Sequence, residues 1–336
     1  MDSVGHRILA GDIGGTKAHI ALYRVVGGKL SLICQQKFAS ESFSSFHAIL
    51  REFLGEDRSP VLGACFGVPG VVTDGQAKPT NLSWGIDAAE LAAEFDIPSV
   101  TLLNDLAANA YGIAQLGAVD FAVIQNGSPV AKGNRCVVSP GTGLGEAGLF
   151  WDGQRHQVWA CEGGHTEFGP QNAIEIALLE YLIKLFGHVS AERVVSGMGI
   201  ENIYNFLRDT GRGIEKPAIA KEMQEGVPGA VISQHAEDGS CPMCAHTLEI
   251  FTHCLGAEAS NMALKSMATG GVFLGGGIPV KLLKRIQSMT FLHAFNSKGR
   301  LSSLTEKIPV YVILNEETAL LGAASFALDS LFANKA

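Results

Sequence analysis

No apolar stretch in these 336 residues approaches the ~20 that span a bilayer, which excludes a membrane-crossing helix. Residues 1–7 lead into a strand without a signal-peptide core. Basic residues are too few and too scattered for nucleic acid: Lys and Arg number 25 against 33 Asp and Glu, and they form no run. The net charge of −8 argues the same way. Cysteine is sparse and odd in number, seven at positions 34, 65, 136, 161, 241, 244 and 254. That pattern reads as free thiols in a reducing cytoplasm, where the Asn81-Leu82-Ser83 sequon has no meaning. The P-loop, which ends in Gly-Lys-Ser/Thr, is absent, and no low-complexity linker divides the chain. Charged residues make up 17% and hydrophobic ones 47%, the balance of a folded protein long enough for two domains.

Glycine, by contrast, is abundant at 40 residues, and it punctuates one pattern twice. The apolar run Ile8-Leu9-Ala10 enters Gly11-Asp12-Ile13-Gly14-Gly15-Thr16, and a second apolar run, 18–26, leaves it. Backbone without side chains at Gly14 and Gly15 can approach a phosphate, Thr16 adds a hydroxyl, and Asp12 stands where it can hold a divalent cation through water. Cys136-Val137-Val138-Ser139 then leads into Pro140-Gly141-Thr142-Gly143, followed by Leu149-Phe150-Trp151. Two turns with one layout suggest a duplicated nucleotide-gripping unit. Gly143-Leu144-Gly145-Glu146-Ala147-Gly148 matches the dinucleotide fingerprint formally, but that fingerprint needs a helix where this sequence continues as strand.

Between the turns, strands at 8–11, 18–26 and 29–38 predict a meander, followed by a helix near 46–54 and a buried strand over 61–67. Asp74-Gly75 predicts a hairpin turn, and Asp87 a helix cap. A strand over 99–103 ends on Asn104-Asp105, with helix-forming residues from 106 to 116. Strands near 119–125, 135–139, 145–151 and 157–160 give way to a mostly helical 172–268, then a strand at 271–274 entering Gly275-Gly276-Gly277. Residues 316–331 read as an apolar helix able to pack back on the first domain. Cys241-Pro242-Met243-Cys244 invites a zinc or redox reading, with His246, His253 and Cys254 nearby, but the spacing fits no standard finger and the segment continues as an apolar helix.

Residues 11–17, Asn104-Asp105, 139–145, Glu162-Gly163-Gly164-His165, Glu192 and Gly275-Gly276-Gly277-Ile278 together resemble the bacterial glucokinase family. That family belongs to the superfamily of sugar kinases, actin and heat-shock chaperone ATPases. The resemblance implies an α/β, two-domain actin-like (ribonuclease H-like) fold. It places a cleft between a smaller α/β domain (1–115 plus 316–336) and a larger α+β domain (116–315), closing on sugar binding. It implies transfer of the γ-phosphoryl group of ATP to the 6-hydroxyl of glucose, with Asp105 as the base and Mg²⁺ at Asp12. ATP phosphates and adenosine would meet Gly11, Asp12, Ile13, Gly14, Gly15, Thr16, Gly141, Thr142, Gly143, Gly275, Gly276 and Gly277. Asn104, Asp105, Glu162, His165 and Glu192 would hold the sugar, in a cytoplasmic homodimer.

Bland readings stand beside these. Asp105 suits a helix N-cap, and Glu192 suits the opening turn of a helix. Two residues depart from the family pattern: Lys17, where Asn is usual, and Glu146, where a small or apolar residue is expected. Another hexose is an alternative acceptor. A non-catalytic sugar sensor or repressor on the same fold would need a DNA-binding segment before Ile8, where seven residues stand.

Overall fold

A computed structural model describes residues 6–79 and 82–333, so residues 1–5 and Asn81 of the sequon lie outside it. The chain divides into two compact units, Met1–Val119 with Asn315–Ala336, and Asp120–Leu314.

The first unit is built on a five-stranded sheet. Strands β1 (Arg7–Ile13), β2 (Lys17–Val26) and β3 (Lys29–Ala39) form an antiparallel meander, and β4 (Val61–Val68) lies parallel to β1 on its other side. Between β3 and β4, Ser45 caps α1 (Phe46–Leu54), whose Phe46, Ile49 and Leu50 recur at helical spacing and are buried. Phe46 meets Phe66 of β4 edge to face, ring centroids 4.9 Å apart. A small sheet of β5 (Val72–Thr73), β6 (Gln76–Ala77) and β7 (Ile86–Asp87) follows. Asp74 and Gly75 both take positive φ in its hairpin turn, as the Asp-Gly pair predicts. Asp87 then caps α2 (Ala88–Phe95). Strand β8 (Val100–Asn104), parallel to β4, completes the main sheet in the order β3-β2-β1-β4-β8.

Helix α3 (Asp105–Gly112) and the C-terminal helix (Thr318–Ala333) cover the other face of this sheet. Leu320, Ala323, Ala324 and Ala327 bury against Ile8, Ala10, Ala21 and Cys65. The two helices touch backbone to backbone: a methyl group on Gly322 would collide with the Ala108 carbonyl, and one on Gly112 with that of Thr318. The predicted helix over 106–116 ends early at Gly112 and relaxes into a 3-10 turn, Ile113–Gln115.

The second unit repeats the plan. Strands β9 (Phe121–Gln125), β10 (Arg135–Pro140), β11 (Leu144–Trp151), β12 (His156–Cys161), β13 (Gly271–Leu274) and β14 (Val310–Ile313) order as β12-β11-β10-β13-β14-β9. Without the antiparallel edge strand β9, this is the first sheet's order: an antiparallel meander whose first strand pairs in parallel with a later one. The strand reading of 145–151 holds, β11 starting one residue earlier, and with it the rejection of a dinucleotide fold. Between β12 and β13 lie α4 (Ala173–Phe186), α5 (Gly197–Asp209), α6 (Pro217–Glu225), α7 (Pro228–Glu237) and α8 (Pro242–Ser266). Helix α8 is buried along most of its length, at Leu248, Phe251, Leu255 and Met262 among others, and forms the axis of this unit's core. Cys241 and Cys244 are free and buried at its N-terminus, the Cys241 sulfur accepting the Cys244 N–H.

Replacing Gly322 with Ala should wedge α3 from the C-terminal helix and destabilise the protein by about 1–3 kcal/mol, read as a lower urea midpoint at unchanged m-value.

Candidate functional site

Parallel pairing brings the chemistry of the first unit to one sheet edge. Asp12 of β1 pairs with Gly67 of β4, and Val68 of β4 with Asn104 of β8, so all three strands finish together. Residues 14–16 turn from β1 into β2. The Gly14 N–H donates to the Lys17 carbonyl at 2.7 Å, and Ser40 pins the turn through its hydroxyl to Gly14 O at 2.9 Å and its N–H to Thr16 O at 3.0 Å. Thr16 is exposed and Gly15 half-buried at its tip. Gly11 and Ile13 sit differently. A methyl group on Gly11 would press on Phe66 at 2.8 Å, and the Ile13 side chain is in the core, so only their backbones can serve a ligand.

Asp105 opens α3, but the helix cap is Asn104. The Asn104 Oδ1 accepts from the N–H groups of Leu106 and Ala107 at 3.0 and 3.3 Å, and its Nδ2 donates to Gly70 O at 3.0 Å. One amide proton of Asn104 is therefore left for a ligand. Gly67 lets α3 approach β4 so closely that the Asp105 Cα is 3.6 Å from where a Gly67 Cβ would stand. Asp105 faces Asp12 there. Burial first, and the Asp105 charge second, push the Asp12 carboxyl up to about 6.

The second unit gathers the other residues. Residues 141–143 turn from β10 into β11, the same three-residue length as the first turn. The Gly141 N–H donates to Gly143 O at 2.8 Å, and the Gly197 N–H at the start of α5 donates to Gly141 O at 2.8 Å. Glu192, in the 3-10 turn Ala191–Arg193, braces this loop by accepting the Leu144 N–H on Oε2 at 2.9 Å. Another 3-10 turn, Gly163–His165, presents Glu162 and His165 to solvent, with Gly164 packed on the Leu144 backbone. The Ala191 N–H donates to Thr166 O at 2.8 Å, tying Glu192 to the same assembly.

Beside this loop is a groove of about 740 Å³. Thr142 and Gly277 line it with Met198, Val227, Gly229 and Ile278, an apolar slot with polar edges, within the size range of ligand sites. Gly275 donates its N–H to Val138 O at 3.0 Å. Gly276 takes φ +81° as it starts the helix Gly277–Lys281, and a side chain there would press on Pro140 O at 2.8 Å. Sequence reading missed Gly197, Met198, Val227 and Gly229. The one local signal was Ser196-Gly197-Met198-Gly199, in which Ser196 caps α5. Among the described residues, no group of three or more His, Cys, Asp or Glu could hold a metal ion. Nor is any helix among them long and apolar enough to cross a membrane.

Comparison with known proteins finds relatives along nearly the whole chain. A family model described as glucokinase matches residues 9–330. Glucokinases from Nostoc punctiforme and Trichormus variabilis are 41% and 40% identical over 332 and 333 residues, each alignment covering 94% of this chain and 97% of the relative. The crystal structure of glucokinase from an Antarctic psychrotroph superposes with a TM-score of 0.86 at 31% identity, covering 96% of this chain and 99% of that one. A ROK family glucokinase from Streptomyces griseus, solved in complex with glucose and AMPPNP, shares the fold at TM-score 0.60 and 20% identity, over 96% of this chain and 99% of that one.

Because Asp12 holds its proton more tightly in the folded protein, its share of stability is complete below about 4 and is lost as pH rises through about 6. Asp105→Asn should shrink that loss by on the order of 1 kcal/mol, measured as the difference in unfolding free energy between pH 4 and pH 7.

Proposed function

Because the chain belongs to the glucokinase family, as an ATP-dependent kinase that phosphorylates glucose, we propose that Asp105 is its proton acceptor and that its two glycine turns hold the nucleotide. The observation that carries this reading is the meeting of Asp105 and Asp12 at the ends of the parallel strands β8 and β1, which flank β4. Phosphoryl transfer asks a protein for positioning, charge neutralisation and a place for the hydroxyl proton. Asp105 needs only to reach the sugar 6-hydroxyl at hydrogen-bonding distance, because the proton leaves late in a loose transition state. The N-terminus of α3 favours its negative charge.

A lone, half-buried carboxylate with a second carboxylate facing it suits Mg²⁺, which is commonly held by one or two carboxylates together with substrate phosphates and water. The cation, once bound, would neutralise charge on the phosphates, and Asp12 is the residue that would orient it. The turns at residues 14–16 and 141–143 offer backbone to the phosphates, and the groove beside Thr142 and Gly277 has room for adenosine. Asn104, Glu162, His165 and Glu192 are assigned to sugar hydroxyls. Carboxylates and amides in a fixed fan would be stranded by a sugar lacking a hydroxyl, which is the basis of acceptor choice. Seven free cysteines support a reducing cytoplasm, where the product would enter glycolysis. The homodimer rests on the family resemblance.

The test is a coupled ADP-release assay with Mg-ATP and a panel of hexoses. Asp105→Asn should lower kcat with glucose by about 10²–10⁴-fold while calorimetry still finds glucose bound. Unchanged turnover in that variant sinks Asp105 as the base. A second expectation concerns acid: kcat/KM for Mg-ATP, which reports the free protein, should fall below about pH 6 as Asp12 takes up a proton, and Asp12→Asn should abolish that limb.

A further inference from the structure

Glu146, one of the two residues that depart from the family pattern, has a buried carboxyl with 1% of its surface exposed, and no donor among the described residues reaches either oxygen. It projects from β11 toward α8, where Glu258, itself 6% exposed, meets it within hydrogen-bonding reach. Two carboxylates are both acceptors, so ionised together they would stand buried, unbonded and mutually repelling. A proton between them turns the repulsion into a bond.

We propose that Glu146 and Glu258 share one proton, and that this proton holds the turn Gly163–His165 in place for the sugar. The contact with the turn is direct: Gly163 lies against the Glu146 carboxyl so closely that a side chain at 163 would overlap Oε2. Glu146 is thus a positioning residue acting through the backbone that presents Glu162 and His165. This part rests on the assignment of those two residues to glucose.

The surroundings say which partner keeps the charge. Glu258 accepts the Asn261 amide on Oε2 at 2.9 Å, and Lys265 Nζ is 3.8 Å from its Oε1. Lys298 reinforces this side by donating to Asn261 Oδ1 at 2.7 Å. Glu146 meets Glu258 and the thiols of Cys136 on β10 and Cys161 on β12, and it feels the Lys265 charge less than that of Glu258; Cys161 donates to the Glu146 backbone carbonyl at 3.3 Å. The proton therefore belongs to Glu146. Burial, and then the charge of Glu258, push the Glu146 carboxyl up to about 8. Its stabilising share is complete below about 4.5 and is lost as pH rises through about 8, when the two groups repel and the turn above them is displaced.

Infrared difference spectroscopy of the intact protein at neutral pH should show the carbonyl stretch of an un-ionised carboxylic acid, absent from Glu146→Gln. In parallel, KM for glucose should rise by up to about tenfold between pH 8 and pH 9 in the native chain and stay flat in Glu146→Gln, whose amide mimics the protonated acid. Glu258→Gln, which offers Glu146 a donor, should be flat as well and serves if the first variant does not fold. Cys161→Ser should keep the native profile. Absence of the infrared band overturns the shared proton. A band with the same alkaline rise in native and Gln variants overturns the positioning role. Should Glu162→Gln and His165→Ala leave KM for glucose unchanged while the band persists, the sugar assignment fails and the positioning role falls with it, leaving the shared proton.

Discussion

Parallel strand pairing is the constraint on which the rest depends. When β1, β4 and β8 run the same way in register, their chain exits must fall on one edge, and whatever follows each strand is delivered there. Asp12, Gly67, Asn104 and Asp105 meet for that reason, although they are spread over more than ninety positions of sequence. In the second unit β10 and β13 do the same for Gly141-Thr142-Gly143 and Gly275-Gly276-Gly277. The identical strand order of the two sheets explains why one motif appears twice, since each glycine turn joins the first and second strands of a meander whose first strand is paired in parallel.

Holding acid groups at such places opposes stability. Asp12 faces Asp105 with burial disfavouring its charge, and among the described residues Glu146 finds no donor. Ordinary cores avoid such arrangements, because a buried charge without a partner is among the costliest features a fold can carry. Both clusters sit next to residues assigned to substrates, consistent with strain concentrating where chemistry is done.

The strands and turns were legible because their signals are local. Apolar runs broken by Gly-Gly-Thr or Gly-Thr-Gly, the Asp74-Gly75 pair and the Asp87 cap each specify their own geometry. Strand β14 passed unread: Val310-Tyr311-Val312-Ile313 is four residues long, and only its pairing with β13 and β9 defines it. The groove beside Thr142 was equally hidden, since Met198 comes from α5, Val227 from the residue before α7 and Ile278 from the helix Gly277–Lys281, segments that only packing brings together. The capping residue was misread by one position. Asn104 and Asp105 have the same capping chemistry, and only the backbone angles distinguish the residue outside the helix from the first one inside. Glu146 stood out in sequence as a misfit, but the partner that gives it meaning is more than a hundred residues away.

The C-terminal helix has a consequence for biogenesis. It covers Ile8, Ala10, Ala21 and Cys65, yet its first residue, Thr318, is made about 250 residues after Cys65. At about 5–20 residues per second, that apolar sheet face waits on the order of tens of seconds for its lid. The second unit, continuous from Asp120 to Leu314, can fold during the interval. The first unit is therefore completed last although it is begun first, and its nascent sheet is the surface most in need of a chaperone.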